Sequence, residues 1–392
     1  MKWEKVKLGK YVEILSGFAF KSKDFLNCGV PVIKIKNITQ EGVTLEDVSY
    51  ISKELADKNE KYHLNYNDIL IALTGSHINQ MSSVVGRIAR IKYHEDSLLN
   101  QRVGKVFAKD SKLCDIDYVY YFLSQDYIKI SLASKAGGAA NQANISPNDV
   151  KSLTVRWPDI ETQHRIADIL SAYDDLIENN QKQIKLLEEA AQRLYKEWFV
   201  DLRFPGHENT KIVDGVPEGW SRGLLKELIS VNYGKDHKKA PDDGNIPVYG
   251  SGGLMRKCNK SLFSGEAVLI PRKGSLNHIM YVDETFWTVD TMFYATMKQP
   301  HTAVFVYFFV KAFDMYSMNI GAAVPSMTTK ILDAMDVVIP DKETLEKFDK
   351  RAKVYFNKAK TLQGQNERLK TARDLLLPKL MNGKVEVYND SF

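Results

Sequence analysis

Polar side chains suited to recognition chemistry stand just after apolar runs at several places in this chain of 392 residues. Thr74-Gly75-Ser76-His77-Ile78-Asn79-Gln80 follows the apolar run Asp68–Leu73 and offers a glycine turn with Ser76, His77, Asn79 and Gln80 beyond it. Asn100-Gln101-Arg102 places two amides and a guanidinium together. Gly137-Gly138-Ala139-Ala140 precedes a further amide pair, Asn141 and Gln142. Lys34 and Lys36 alternate with Ile33 and Ile35, which predicts that both lysines face outward on one strand. In the second half, Lys235, His237, Lys238 and Lys239 form a basic run after Gly234. Tyr249-Gly250-Ser251-Gly252-Gly253 is a small-residue loop, and Arg272-Lys273-Gly274-Ser275-Leu276-Asn277-His278 again follows an apolar run. Amides form paired hydrogen bonds with adenine edges, and guanidinium groups pair with guanine. Lysines neutralise phosphates. Each run would equally suit a solvated loop, a strand-end surface or a flexible connector.

Covalent chemistry has no comparable signature. There is no G-x-x-x-x-G-K-[ST] phosphate loop and no H-E-x-x-H. No Pro-Pro pair occurs, so an amino-methyltransferase motif of the [DN]-P-P-[YFW] type is absent. E-x-K does not occur, and the D-x-K at Asp236–Lys238 has no Pro-Asp shortly before it, so a metal-dependent nuclease pattern is not visible. The histidines are scattered, and Cys28, Cys114 and Cys258 stand far apart without a CxxC pair. That spacing argues against a disulfide framework or a zinc site and suits a reducing cytosol. These features predict no catalytic residue, no bound metal and a cytoplasmic binding protein. The N-terminus lacks an apolar signal core, and Ala303–Val310, the most apolar stretch, is too short to span a bilayer. The formal net charge of +5, from 54 Lys and Arg against 49 Asp and Glu, permits nucleic-acid binding if the positive charge gathers on one face.

The elements that must position these loops come in two copies. Trp3 opens W-E-K-V-K-L-G and Trp220 opens W-S-R-G-L-L-K-E-L. Gly17-Phe18 is answered by Tyr233-Gly234, and G-V-P-V-I-K from Gly29 by N-I-P-V-Y-G from Asn245. D-I-L-I-A-L-T-G-S from Asp68 matches A-V-L-I-P-R-K-G-S from Ala267, which puts the Arg272–His278 loop in the place of the Thr74–Gln80 loop. The aromatic helices Y-V-Y-Y-F-L from Tyr118 and F-V-Y-F-F-V from Phe305 follow, then Leu153–Pro158 and Asp336–Pro340. Preserved order across the halves points to an internal duplication. The halves differ where Asn141 and Gln142 face Val324 and Pro325, so base reading at that loop is less expected in the second half.

Each copy ends in a long helix. From Ile160 to about Phe199 there is no Gly or Pro, and the apolar positions include Ile166, Ile169, Tyr173, Leu176, Leu187, Ala191, Leu194 and Trp198. From Leu345 to Leu376 the positions 345, 348, 352, 355, 359, 362, 366, 369, 373 and 376 alternate spacings of three and four. That is a coiled-coil seam, with polar breaks at Asn366 and Arg373. A helix of this kind reaches roughly 57 Å, longer than a small domain is wide, so each helix is the natural cover for the other. Such a rod would hold two heads at a fixed distance. Trp198, Phe199 and Phe204 read as packing residues rather than base-stacking ones.

At the helices the sequence resembles a known family. E-T-Q-H-R-I-A-D-I-L-S-A-Y-D-D-L-I-E-N-N (Glu161–Asn180), L-L-E-E-A-A-Q-R-L-Y-K-E-W-F-V-D (Leu186–Asp201) and N-E-R-L-K-T-A-R-D-L-L-L-P-K-L-M-N-G-K-V (Asn366–Val385) are similar to the shared helical regions of Type I restriction–modification specificity subunits. The resemblance implies an α+β chain: two similar target-recognition domains joined by two long helices in an antiparallel coiled coil. The expected boundaries are residues 1–159 for the first domain, 160–201 for the first helix, 202–219 for a linker, 220–340 for the second domain and 341–392 for the second helix and tail. It further implies a non-catalytic reader of a bipartite, asymmetric double-stranded DNA site. Two modification subunits would bring S-adenosylmethionine, and restriction subunits would bring ATP and magnesium. Recognition domains of this type also resemble those fused to some methyltransferases, so a related methyltransferase–nuclease system is an alternative. A stand-alone enzyme with an unusual site and a coiled-coil adaptor without DNA binding are the competing readings from other classes.

Overall fold

The computed structural model describes residues 3–40, 42–75, 85–135, 143–318 and 326–387. The chain forms two units, residues 1–178 with 366–392 and residues 179–365. Each therefore takes in part of both long helices.

In the first unit, Val12–Ser16, Val103–Ala108, Ile69–Ala72 and Ile88–Arg90 lie side by side, in that order, as an antiparallel sheet. A second sheet has the order Ser49–Ile51, Val30–Ile33, Ser97–Leu99, His63–Leu64, and its central pair is parallel. Ile69, Leu70 and Ile71 are buried on both faces, as their β-branched and aliphatic run requires. The helix Ile116–Ser124 starts where the Asp115 carboxylate accepts from the amides of Asp117 and Tyr118, and it packs Tyr118, Phe122 and Leu123 into the core.

The second unit repeats this plan with one economy. Its six-stranded sheet has the order Ile229–Tyr233, Met292–Met297, Phe263–Pro271, Met280–Thr288, Ile246–Gly250, Gly253–Cys258. The single nine-residue strand Met280–Thr288 does the work of two strands in the first unit. Its start pairs antiparallel with Phe263–Pro271, as Ile88–Arg90 pairs with Ile69–Ala72. Its end pairs parallel with Ile246–Gly250, as Ser97–Leu99 pairs with Val30–Ile33. In the first unit residues 91–96 interrupt the strand and split the sheet. The helix Ala303–Lys311 is almost wholly buried, answering Ile116–Ser124.

Both long helices begin with the same device. In P-D-I-E-T and P-D-K-E-T, Asp159 and Asp341 accept from the Thr162 and Thr344 amides at 2.8 and 2.9 Å. The Thr162 amide holds the Asp159 carboxyl below the usual carboxylate range. The first helix runs Ile160–Tyr195 and continues as one π-helical turn, Lys196–Val200; the second runs Lys342–Met381. In each unit the two pack antiparallel. In the first, Arg373 pairs with Asp174 and the Asn366 amide donates to the Ile177 carbonyl, so one helix descends as the other rises. In the second, the end of the first helix meets the start of the other, with Phe348 5.9 Å from Trp198 and 6.3 Å from Tyr195.

Every seam position expected from Leu345 to Leu376 is buried or half-buried. The first helix needs a correction. Ile169 and Leu176 are 37% and 52% exposed, and their neighbours Leu170 and Ile177 take the seam instead. Trp198 and Phe204 are buried in the core of the second unit, with Phe199 packed against it. Among the described residues no helix is long and apolar enough to cross a membrane.

Candidate nucleic-acid interface

At one end of the first unit, backbone bonds draw together segments far apart in sequence. Gly17 donates to the Val103 carbonyl at 3.1 Å, and Phe18 to that of Leu99 at 2.9 Å. Asn100 donates to Ile33 at 3.2 Å, Leu73 to Arg102 at 3.0 Å and Ile145 to Leu73 at 2.9 Å. Phe18, Lys34, Thr74 and the turn Asn100–Arg102 therefore share one neighbourhood. The second unit makes the same bonds. Gly234 donates to Met292 at 3.0 Å, Lys235 to Thr288 at 2.9 Å, and Val289 to Tyr249 at 3.0 Å. Arg272 donates to Thr291 at 2.8 Å, and Met327 to Arg272 at 2.9 Å. Bond for bond, Gly17 corresponds to Gly234, Phe18 to Lys235, Ile33 to Tyr249, Leu73 to Arg272, Thr74 to Lys273, and Asn100–Arg102 to Val289–Thr291.

The match shifts one expectation by a residue: the loop answering Thr74 begins at Lys273, and Arg272 stands just past the end of the strand, where the first unit has Leu73. It also explains both glycines. A Cβ on Gly17 would lie 2.3 Å from the Asn100 oxygen, and one on Gly234 would lie 2.0 Å from the Val289 oxygen. In both units the chain crosses the turn too closely for a side chain.

The candidate side chains fare unequally in the first unit. Gln101 and Arg102 are exposed on the turn, whereas Asn100 is 9% exposed, so the side-chain contact expected of Asn100 is corrected to a backbone role. Lys34 and Lys36 are not outward neighbours on a strand, because the strand ends at Ile33. The buried Asn37 accepts from the Lys34 amide at 3.1 Å and donates to the Glu46 carbonyl, which curls Ile35–Asn37 into a single 3-10 turn. Lys36 is exposed on that turn. Lys34 is half-buried, donates to the Ser49 hydroxyl at 2.9 Å and lies 3.6 Å from the Phe25 ring centre. Burial, helped by the Lys36 charge, lowers its pKa, so it suits a structural role better than a phosphate contact. Ser76, His77, Asn79, Gln80, Asn141 and Gln142 lie outside the described residues.

In the second unit Lys238 and Lys239 are exposed on the 3-10 turn His237–Lys239, which the Asp236 carboxylate caps, and Lys235 is exposed just before it. Arg256 braces this segment. Its guanidinium donates to the His237 carbonyl at 2.5 Å and the Ala240 carbonyl at 2.7 Å, and pairs with Asp242. His237 is half-buried there. Arg272 lies 5.4 Å from the Tyr233 ring centre and donates to the Asp290 carbonyl at 3.3 Å. Lys273 and Ser275 are exposed. Two expectations are corrected. Tyr249 is a strand residue whose hydroxyl donates to Glu284 at 2.5 Å rather than facing an open loop. Asn277 is spent on the fold, donating to the Asp314 carboxylate at 2.9 Å and accepting from the Met315 amide at 2.8 Å. His278 contacts the Ser251 carbonyl at 2.9 Å and ties the two small-residue loops together.

Sequence reasoning missed Phe18, Tyr233, Arg256, Asp290 and Thr291. L-N-Q-R-V and T-V-D-T-M share no residue at matching positions, so the hydrogen-bond register is what identifies the second turn as a copy of the first. Among the described residues, no group of three His, Cys, Asp or Glu side chains is placed to hold a metal ion.

Comparison with known proteins agrees with this architecture. The family model described as the Type I restriction modification DNA specificity domain matches residues 1–189 and again residues 217–371. The chain is 24% identical to the MjaIX Type I restriction enzyme specificity subunit of Methanocaldococcus jannaschii, over 98% of this chain and 94% of that one. It is 25% identical to the HindI specificity subunit of Haemophilus influenzae, over 66% of this chain and 74% of that one. Its fold is similar to a crystal structure of the S subunit of a Type I restriction–modification system from M. genitalium, with a TM-score of 0.61 at 18% identity, covering 98% of this chain and 97% of that one. The doubled family match falls on the two units that share one hydrogen-bond scheme, and the chain belongs to the DNA specificity subunits of Type I restriction–modification systems, the non-catalytic members of those complexes.

Proposed function

We propose that each unit reads one half of a bipartite, asymmetric DNA site through the turn and loops at this shared end. The observation that carries the reading is the repetition of one backbone scheme with different side chains at its tip: exposed Gln101 and Arg102 in one unit, exposed Asp290 and half-buried Thr291 in the other. An identical scaffold with unlike tips suits two readers of unlike half-sites. Arg102, Arg272 and Lys273 serve base reading or its immediate surroundings, while Lys36, Lys235, Lys238 and Lys239 serve phosphates. The long helices hold two modification subunits that bring S-adenosylmethionine, and restriction subunits bring ATP and magnesium to the same complex in the cytoplasm. The expected boundaries, with recognition at residues 1–159 and 220–340, belong to this proposal.

Exchange of residues 1–159 for the recognition domain of another family member is the direct test. Methylation mapped across the genome should show one half-site replaced and the other retained. Simultaneous change of both halves would sink the independent-reader model.

A second result concerns charge. Lys235, Lys238 and Lys239 replaced together by Ala should weaken binding to every duplex. The log–log salt dependence should become shallower by roughly 0.9 per lost phosphate contact. An unchanged slope in a salt titration would remove these lysines from the interface.

A further inference from the structure

Lys235, Arg272 and Lys273 are bonded through their backbone amides to Thr288 or Thr291, and the Arg272 guanidinium donates to a carbonyl of the turn Val289–Thr291. Asp290 is exposed at its tip. Its carboxylate makes no hydrogen bond or ion pair among the described residues; only its carbonyl is used, by Arg272. A free carboxylate on a surface that meets phosphates weakens binding by repulsion unless it finds a donor on the ligand. The turn is also held stiffly. Arg272 and Lys273 both donate to the Thr291 carbonyl, Val289 donates to Tyr249, and Met292 closes the turn on Val289. A side chain on so fixed a support gives up little freedom on binding and can discriminate geometry.

We propose that Asp290 determines specificity in the second half-site by accepting a hydrogen bond from the N4 amino group of a cytosine in the major groove. This rests on the reading that the second unit binds DNA at this end. The base chemistry selects the partner. Guanine presents N7 and O6, and thymine presents O4, all acceptors that repel a carboxylate. Adenine has a donor at N6 but an acceptor beside it at N7. Cytosine offers its N4 donor without an adjoining acceptor on the same base. The Arg272 guanidinium, held against the same turn, has the paired donors that match N7 and O6 of guanine. A neighbouring carboxylate and guanidinium therefore complement the two bases of a C·G pair. In the first unit the corresponding position is Gln101, whose neutral amide suits adenine instead.

The full-length chain, co-purified with its modification subunits, would be incubated with a randomised duplex library, and bound DNA sequenced for wild type, Asp290→Asn and Asp290→Ala. The wild-type motif should carry a C·G pair in its second half. Both variants should lower the preference for cytosine at that one position about tenfold or more, with the first half-site unchanged. Asp290→Asn should shift preference toward adenine, and matching melting curves would establish that the variants are folded. A second half-site without a C·G pair overturns the proposal. So does an unchanged motif accompanied by tighter binding to all duplexes, the result expected when a purely repulsive charge is removed. A wild-type complex that selects no motif defeats the recognition reading itself, before any variant is compared.

Discussion

Gly234→Ala should abolish recognition of the second half-site while leaving the first intact, and Gly17→Ala should do the reverse. The added methyl of Gly234→Ala would lie 2.0 Å from the Val289 oxygen, 2.7 Å from its carbonyl carbon and 2.6 Å from the Thr288 hydroxyl. For Gly17→Ala the closest atoms are the Asn100 and Leu99 oxygens at 2.3 and 2.4 Å. These neighbours are mostly backbone, which cannot swing aside as a long side chain would. The turn must move, breaking the bonds that fix Asp290 or Gln101, at a cost of about 3 kcal/mol. Gly364→Ala is the matched control. No atom lies within 4 Å of its new methyl, and in a helix it should stabilise by up to ~1 kcal/mol. Thermal denaturation with motif determination on the three variants distinguishes these outcomes. If Gly234→Ala kept both its melting profile and its second half-site, close approach of the chain to the turn would not be what forms the reading surface.

Phe348→Ala should destabilise the second unit by about 3–5 kcal/mol. Phe348 is fully buried where the second helix starts, with the rings of Phe199, Trp198 and Tyr195 at 4.8, 5.9 and 6.3 Å. Phe199 and Tyr195 in turn touch Phe305 on the domain's own helix, so one side chain links the helical seam to the sheet. Removing its ring leaves a cavity that this rigid aromatic cluster cannot close. Val354→Ala on the same helix is 64% exposed and should change stability by less than about 0.5 kcal/mol. Urea denaturation followed by fluorescence, with Trp3 and Trp157 replaced by Phe in both variants and the reference, reports on this unit through Trp198, Trp220 and Trp287. Equal midpoints for the two variants would show that the cluster does not hold the helix to the domain.

The sequence by itself determined what depends on local pattern. The repeat was legible because the strand runs, the Gly-Ser ends, the aromatic helices and the closing prolines recur in order, and the hydrogen bonds follow the same register from Ile69 against Val268 to Ile33 against Tyr249. The second helix was legible because its heptad spacing leaves one choice of seam. The first was only partly so. Ile169-Leu170 and Leu176-Ile177 are adjacent apolar pairs, and periodicity cannot say which member of each pair faces inward. Tertiary structure decided the rest. Lys34, Asn100, Tyr249 and Asn277 have the residue types of a reading surface, but burial or intramolecular bonds occupy them. Asp290 and Thr291 have no sequence likeness to Gln101 and Arg102, and they coincide only because long-range pairing places each turn between the same strands. Which polar side chain is left free to meet DNA depends on what the rest of the chain has already bonded, and that is settled by residues distant in sequence.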